Sequence, residues 1–471
     1  MSGKDRDLAM VVMKFGGSSV RDVEAVRRVI GIVGREKEAR LVVVSALGGV
    51  TDGLLDIADL VEGGKGEEAR EAVRALRRRH EDMAALVGSA EEKAVLLADL
   101  DGRFDELEAI VHALSVVEEI SPRSRDTIVS FGEITSSRIV AAALSDSGIP
   151  SRSIDPRTVL VTDSQHGAAQ PDVEATDERL RREVAPLLKE GVVPVLGGFI
   201  GANPAGLTTT LGRGGSDFSA ALFGAGLGAE EIQIWTDVDG MLTADPRMIP
   251  ATRVVPQLSF SEASELAYFG ARVLHPSTIL PAVRRDIPVR ILNSHRPEAP
   301  GTRITRDPAN GKKGPAAIAC KRGLTRLDIT STRMLMAYGF LRRVFEVFER
   351  YRTPVDVVTT SEVSVSVTID ERRAHDAIVA DLSEFAEVVS EHGMAIVCAV
   401  GDGLRRDPRL AAQMLGALEG LPLVMVSQGG SRQNITVVVR EDAAAVAMER
   451  LHRHFFEDDD ASAGTASAAT A

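Results

Sequence analysis

Residues 208–222, Thr-Thr-Thr-Leu-Gly-Arg-Gly-Gly-Ser-Asp-Phe-Ser-Ala-Ala-Leu, hold the densest potential chemistry in the chain. Gly212, Gly214, Gly215 and Ser216 surround one guanidinium, Arg213, and lead to one carboxylate, Asp217. From Asp217 the residues turn apolar and Ala-rich, which predicts the first turns of a buried helix. Gly-rich backbone at a helix N-terminus can aim several N–H groups at one anion. Arg213 adds a planar fork suited to carboxylate or phosphate. Asp217 at the helix start can cap free N–H groups or orient a nearby cation. Taken alone, the stretch also reads as an ordinary Gly-rich turn with an Asp N-cap, so its meaning depends on the rest of the chain.

Three other stretches offer matching chemistry. Met10 to Lys14 predicts a short buried strand, followed by Phe15-Gly16-Gly17-Ser18-Ser19 and an amphipathic helix over about 21–32. Strand, Gly-Gly turn and helix start make a phosphate cradle, although neither the P-loop nor the GxGxxG spacing is present. Lys14 at the strand end can reach the anion held there; the alternative is a snorkelling lysine. A second apolar strand, Leu41-Val42-Val43-Val44-Ser45-Ala46, carries Ser45 near its end, and Gly48, Gly49, Thr51 and Asp52 lead into a helix over about 53–61. Small hydroxyl residues at the carboxyl edge of a parallel sheet stand where open α/β sheets bind ligands.

A longer helix over 125–144 contains Ser130-Phe131-Gly132-Glu133. A glutamate among apolar residues either faces solvent or holds a cation such as an ammonium group. Strand 232–235 ends in Thr236-Asp237-Val238-Asp239-Gly240, with Asp245-Pro246-Arg247 shortly after. These groups can read ribose hydroxyls, approach a metal or balance phosphate charge. The plainer reading is an Asp-Gly turn with surface charge.

The elements that would position these side chains follow from pattern. Alternating strands and helices from 10 to about 300 predict an α/β domain with a mostly parallel central sheet flanked by helices. Residues 64–117 read as outer helices with solvated charges, and 295–315 as a turn-rich linker. Beyond it, helix 340–350, strand 354–359 and strand 362–369 recur as 414–421, 422–426 and 434–439, two copies of a small α+β unit. Asp356 in the first copy aligns with Val424 in the second. The acidic, Ala/Ser/Thr-rich end from 457 reads as disordered.

Composition bounds the setting. At 471 residues the chain needs two or three domains. A formal charge of −13 argues against nonspecific nucleic-acid binding, while leaving room for a local basic pocket. Two cysteines, Cys320 and Cys398, build neither a disulfide framework nor a Cys-based metal site, which suits a reducing cytosol. No signal peptide and no run of about 18 apolar residues stands out. These features predict a cytoplasmic protein with no membrane or nucleic-acid partner.

Taken together, Lys14-Phe15-Gly16-Gly17-Ser18-Ser19-Val20, Phe131-Gly132-Glu133, Leu211-Gly212-Arg213-Gly214-Gly215-Ser216-Asp217 and Trp235-Thr236-Asp237-Val238-Asp239-Gly240 closely resemble aspartate kinase, of the amino-acid kinase superfamily. The repeat after residue 320 resembles paired ACT regulatory modules. The resemblance implies a catalytic domain at 8–300, ACT modules at 320–395 and 396–456, and a tail at 457–471. It implies MgATP, with Mg²⁺ held mainly through phosphate, and L-aspartate as substrates. Lys14 and Asp217 would be catalytic; Ser45, Thr51, Glu133, Arg213, Gly214, Gly215 and Ser216 would hold aspartate. Lys14, Phe15, Gly16, Gly17, Thr236, Asp237, Leu242, Arg247, Arg272 and Val273 would line the ATP site, with Leu242 and Arg272 departing from the family pattern. Met334, Phe340, Leu341, Val355, Asp356, Ser361 and Glu362 match the effector segment of the lysine-sensitive branch, so lysine is the favoured effector and threonine the next. ACT pairing implies at least a homodimer. With no homoserine dehydrogenase module following, the resemblance is to a monofunctional kinase. The rivals are an acetylglutamate or nucleotide kinase, which gives Glu133 no ammonium to hold, and an amino-acid sensor with a degenerate kinase domain. A nicotinamide-dependent dehydrogenase lacks its GxGxxG here.

Overall fold

A computed structural model describes residues 9–270, 274–308, 314–331, 338–370 and 374–457. The chain forms two compact units, Met1–Met241 with Val273–Asp307, and Leu242–Arg272 with Pro308–Ala471. The segment 242–272, expected inside a catalytic domain spanning 8–300, thus packs with the carboxyl-terminal unit.

In the first unit, strands β1 (Met10–Phe15), β2 (Ala39–Val44), β3 (Ser151–Ile154) and β4 (Val193–Gly197) precede a hairpin of β5 (Ile200–Ala202) and β6 (Thr208–Thr210). Strand β7 (Glu231–Thr236) follows; β8 (Gln257–Ser259) lies in the other unit, and β9 (Val289–Asn293) and β10 (Thr302–Thr305) complete the first. Its main strands lie in the order β3-β4-β2-β1-β7-β9-β10. Every pairing from β3 to β9 is parallel, and β10 alone returns antiparallel to β9. Strand β10 therefore sits within the stretch expected to be a linker. β1 and the last four residues of β2 are buried throughout, as a parallel strand covered on both faces must be.

The helices of this unit are α1 (Val23–Arg35), α2 (Val50–Glu62), α3 (Gly66–Asp82), α4 (Ala90–Val117), α5 (Pro122–Asp146), α6 (Val173–Glu183), α7 (Ala185–Lys189) and α8 (Gly215–Leu227). Local chemistry starts several of them: Asp22 caps α1 on Ala25 N–H, and Ser121 caps α5 just before Pro122. Helix α5 is long and apolar enough by composition to cross a membrane, which counting uninterrupted apolar runs misses; 83% of that window is buried inside the protein.

The second unit carries α9 (Phe260–Tyr268), whereas α10 (Leu280–Arg285) belongs to the first. After it come β11 (Gly314–Thr330), α11 (Phe340–Arg350), β12 (Val355–Thr360), β13 (Ser364–Ile369), α12 (His375–Ser383) and β14 (Glu387–Asp402). α13 (Pro408–Ala417), β15 (Met425–Gln428), β16 (Asn434–Arg440) and α14 (Ala444–His452) finish it. One six-stranded sheet runs β12-β13-β11-β14-β16-β15. Residues 325–330 of β11 pair with β13, and residues 314–322 pair with the half of β14 that also holds β16. The repeats are thus interleaved, the second copy receiving a strand from before the first. The expected boundary at 395/396 falls inside β14.

Candidate active site

Three segments of the first unit meet at the carboxyl edge of its sheet. Phe15 C=O accepts from Ser45 N–H at 3.0 Å, and Gly16 N–H donates to Trp235 C=O at 3.0 Å. The Lys14–Gly17, Ser45–Asp52 and Thr236-Asp237 segments therefore share one edge, where parallel α/β sheets place ligands. Beside it opens a cavity of about 550 Å³ lined by Lys14, Gly17, Ser45 to Gly49, Thr51, Asp52, Glu133, Phe199 and Gly212 to Asp217.

Lys14 is 8% exposed, and its Nζ lies 2.6 Å from Asp217 Oδ1. Helix α8 begins at Gly215 after Gly214, whose φ of 72° is the left-handed conformation that glycine adopts without steric cost. Asp217 is consequently not the N-cap; it stands in the first turn with its carboxylate committed to Lys14. Neutralising the lysine on one side while its other N–H groups remain available holds the ammonium at the cavity wall.

Glu133 does not face solvent. It is 3% exposed, and its Oε2 has no hydrogen-bond partner among the described residues. Gly132 makes this possible: a Cβ there would lie 2.7 Å from the Ala46 Cβ, so only glycine lets α5 press this closely on the Ala46 loop. Burial pushes the Glu133 carboxyl up to about 8, with partial offset from the Ala46 and Glu133 backbone and from the Lys14 charge. A buried carboxyl group with one oxygen left unpaired on a cavity wall is a place for an incoming cation.

Arg213 is exposed at the rim, and its side chain makes no hydrogen bond or ion pair among the described residues. The N-termini of α2 and α8 also reach the lining through Thr51 and Ser216, adding unpaired backbone N–H groups. The cavity thus offers two cationic groups and two helix starts for anions, and one carboxyl group for an ammonium.

The remaining expectations divide. Phe15 is fully buried and stacks on Trp235 at 6.0 Å, so its side chain is core. Thr236 and exposed Asp237 stand at the β7 edge, with Thr236 Oγ1 donating to Asp237 Oδ1 at 3.1 Å. Asp239 is held by Asn293 and Arg296 and acts structurally. Leu242 and Arg247 lie in the second unit, where Arg247 forks onto Asp245. Arg272, Val273 and Met334 lie outside the described residues.

In the second unit, Phe340 is buried, Leu341 exposed and Val355 half-buried, while Ser361 and Glu362 are exposed between β12 and β13. Asp356, expected to offer its carboxylate to an effector ammonium, already holds one: Lys321 Nζ lies 2.6 Å from its Oδ1. Tyr268 OH donates to the same oxygen at 2.9 Å, and Lys321 also meets Asp370 at 3.1 Å. Burial opposes the charge on Lys321, but Asp356 and Asp370 outweigh it and hold its pKa above the ordinary lysine value.

Sequence reasoning missed Phe199, whose φ of 68° is rare for a bulky residue. Its N–H donates to Ser219 Oγ at 2.9 Å and its C=O accepts from Leu211 N–H at 3.0 Å, which fixes the ring at the cavity wall. The only local hint was an aromatic directly after Gly197-Gly198.

Comparison with known proteins identifies the family and its structural neighbours. The amino acid kinase family model matches residues 9–293, and an ACT domain model matches 397–455. Lysine-sensitive aspartokinase 3 of Escherichia coli K12 is 35% identical, over 95% of this chain and 99% of its own length. The chloroplastic aspartokinase 2 of Arabidopsis thaliana is 37% identical, over 97% and 86%. The structure of E. coli aspartokinase III in complex with lysine and aspartate, a T-state, matches with a TM-score of 0.81 at 35% identity, over 95% of this chain and 100% of that one. Its R-state complex with aspartate and ADP matches with a TM-score of 0.79 at the same identity and coverage.

Proposed function

The chain belongs to the aspartokinases of the amino acid kinase family, and from that premise we propose how its cavity transfers the γ-phosphoryl group of ATP to the side-chain carboxylate of L-aspartate. The carrying observation is the buried Glu133, whose Oε2 has no hydrogen-bond partner among the described residues, in one cavity with Lys14, Asp217 and Arg213. Glu133 accepts the α-ammonium and Arg213 grips the α-carboxylate, with Ser45, Thr51, Gly214, Gly215 and Ser216 completing the pocket wall. Only the side-chain carboxylate is then free to face the nucleotide.

That carboxylate has a pKa of about 3.9 and is ionised at neutral pH, so no general base is required. A carboxylate oxygen attacks the γ-phosphorus, the bond from that phosphorus to the β–γ bridging oxygen breaks, and ADP leaves with the electron pair. The products are 4-phospho-L-aspartate and ADP. The obstacle is repulsion between two anions, so positioning and charge neutralisation carry the catalysis. Lys14 and the Gly17 amide stabilise the transferring phosphoryl group beside the Gly16 backbone, and Asp217 holds Lys14 in line. Thr236 and Asp237 stand where the sheet edge meets the nucleoside, and Leu242, Arg247, Arg272 and Val273 are proposed as further nucleotide contacts. Mg²⁺ fits as part of MgATP, bound mainly by phosphate oxygens, and supplies further neutralisation of the β- and γ-phosphates.

The ACT pair supports feedback control by an amino acid, with lysine the favoured effector and threonine next. Met334, Phe340, Leu341, Val355, Asp356, Ser361 and Glu362 are the proposed effector segment. ACT pairing between chains makes the working unit a homodimer or larger, acting in the cytoplasm. A coupled ADP-release assay with aspartate, run with and without lysine and threonine, tests both proposals. Protein that binds MgATP yet forms no acyl phosphate from aspartate overturns the catalytic reading; indifference to both amino acids overturns the regulatory one.

A further inference from the structure

Arg213 reaches the cavity rim with no side-chain partner among the described residues, so its aim depends on the backbone that carries it. That backbone is tied down from one point. Asp126 lies on α5 seven positions before Glu133, about two turns along the same face. Its side chain is 3% exposed, and it accepts hydrogen bonds from several directions. Thr210 Oγ1 donates to Asp126 Oδ1 at 2.6 Å, Gly167 N–H lies 3.1 Å from each oxygen, and His166 Nδ1 lies 2.8 Å from Oδ2.

The tied segments lead directly into the anion loop. Thr210 ends β6 three residues before Arg213, and its C=O accepts from Ala169 N–H at 2.9 Å. Leu211 N–H is held by Phe199, and a Cβ on Gly212 would lie 3.1 Å from Gly167 C=O, so the 166–169 turn and the loop lie against each other. None of Asp126, His166, Gly167 or Thr210 lines the cavity. A carboxylate taken out of water persists where donors surround it, and this one receives its donors from the two segments beside Arg213.

We propose that Asp126 is a positioning residue that sets Arg213 through Thr210 and the His166-Gly167 turn. One helix, α5, then fixes both ends of the amino-acid clamp: Glu133 directly and Arg213 at one remove. This inference rests on the reading of Arg213 as the α-carboxylate clamp.

The test is a double-mutant cycle in the full chain. Thr210→Val keeps the side-chain shape and removes the hydroxyl donor. It should raise the KM for aspartate roughly tenfold, the scale of a misplaced binding group, with the KM for MgATP unchanged. Placed in an Arg213→Ala background, Thr210→Val should add nothing further, because the group it positions is gone. Additive effects, or equal rises in both KM values, overturn the inference. An Arg213→Ala variant with unchanged aspartate KM overturns the clamp reading itself, which separates the two failures. Asp126→Asn should act in the same direction and more strongly; if it does not fold, Thr210→Val decides.

Discussion

Glu133 and Asp356 are both carboxylates pressed into the interior, one in each unit, and each keeps one oxygen without a hydrogen-bond partner among the described residues. Their surroundings differ in one respect. Asp356 has its cation built in, with Lys321 at 2.6 Å and Tyr268 sharing the same oxygen. Glu133 receives backbone help and a distant contribution from Lys14, but no ammonium of its own, and its pKa rises to about 8. The first arrangement balances its charge within the protein; the second, on the proposed reading of the cavity, leaves a buried site for a ligand's cation to complete.

The contrast can be broken from either side. The largest expected effect belongs to Lys14→Ala, which should lower kcat by about 10²–10³, the usual loss for a transition-state donor. Near-normal turnover in the ADP-release assay would remove Lys14 from the chemistry.

Glu133→Gln tests the ligand-completed side. The folded protein holds the Glu133 proton more tightly than the unfolded chain, so that stabilising contribution is full below about 4.5 and lost as pH rises through about 8. Denaturant titrations should show Glu133→Gln gaining on the parent between pH 5 and pH 9, by on the order of a few kcal/mol. The same substitution should weaken aspartate binding. In the parent, binding an ammonium group near pH 7 should release a proton, measurable by calorimetry in buffers of different ionisation enthalpy. A gap independent of pH would mean that Glu133 is not a desolvated carboxyl group.

Lys321→Met tests the prepaired side. It leaves Asp356 buried without its cation and should cost roughly 2–3 kcal/mol of unfolding free energy, less than a fully buried pair because Lys321 is 22% exposed. Adding Asp356→Leu should recover most of that loss while basal kcat stays unchanged. No recovery in the double variant would show that the pair contributes more than charge balance. The smallest effect is expected from Arg247→Ala. Its guanidinium is already engaged by Asp245, so the KM for MgATP should rise only a few-fold. A large rise would show that Arg247 leaves Asp245 to meet the nucleotide.

Much of the catalytic edge was legible beforehand because its signals are local. The runs Val11–Met13 and Leu41–Val44 are buried parallel strands, and each ends in the glycine and hydroxyl residues that a strand-end loop requires. Glu133 stood out because a carboxyl group amid apolar helix residues is costly without a partner. Asp217 misled in detail: a carboxylate near a helix start suggests a cap, but the cap is Gly214 and the carboxylate belongs to Lys14. The second unit was harder. Strands β11 and β14 each serve both repeats, so a search for two consecutive copies places the boundary inside a strand.

The order of residues by itself determined which groups could carry charge to the site, since Lys14, Glu133, Arg213 and Asp217 each sit in a motif readable within a few neighbours. Tertiary packing decided which of those charges are already spoken for. Lys14 meets Asp217 and Lys321 meets Asp356 only after the chain folds, and Thr210 reaches Asp126 across 84 positions. Pairings over such separations leave no periodic trace, because their partners are set by how helices lie on a sheet rather than by spacing along the backbone.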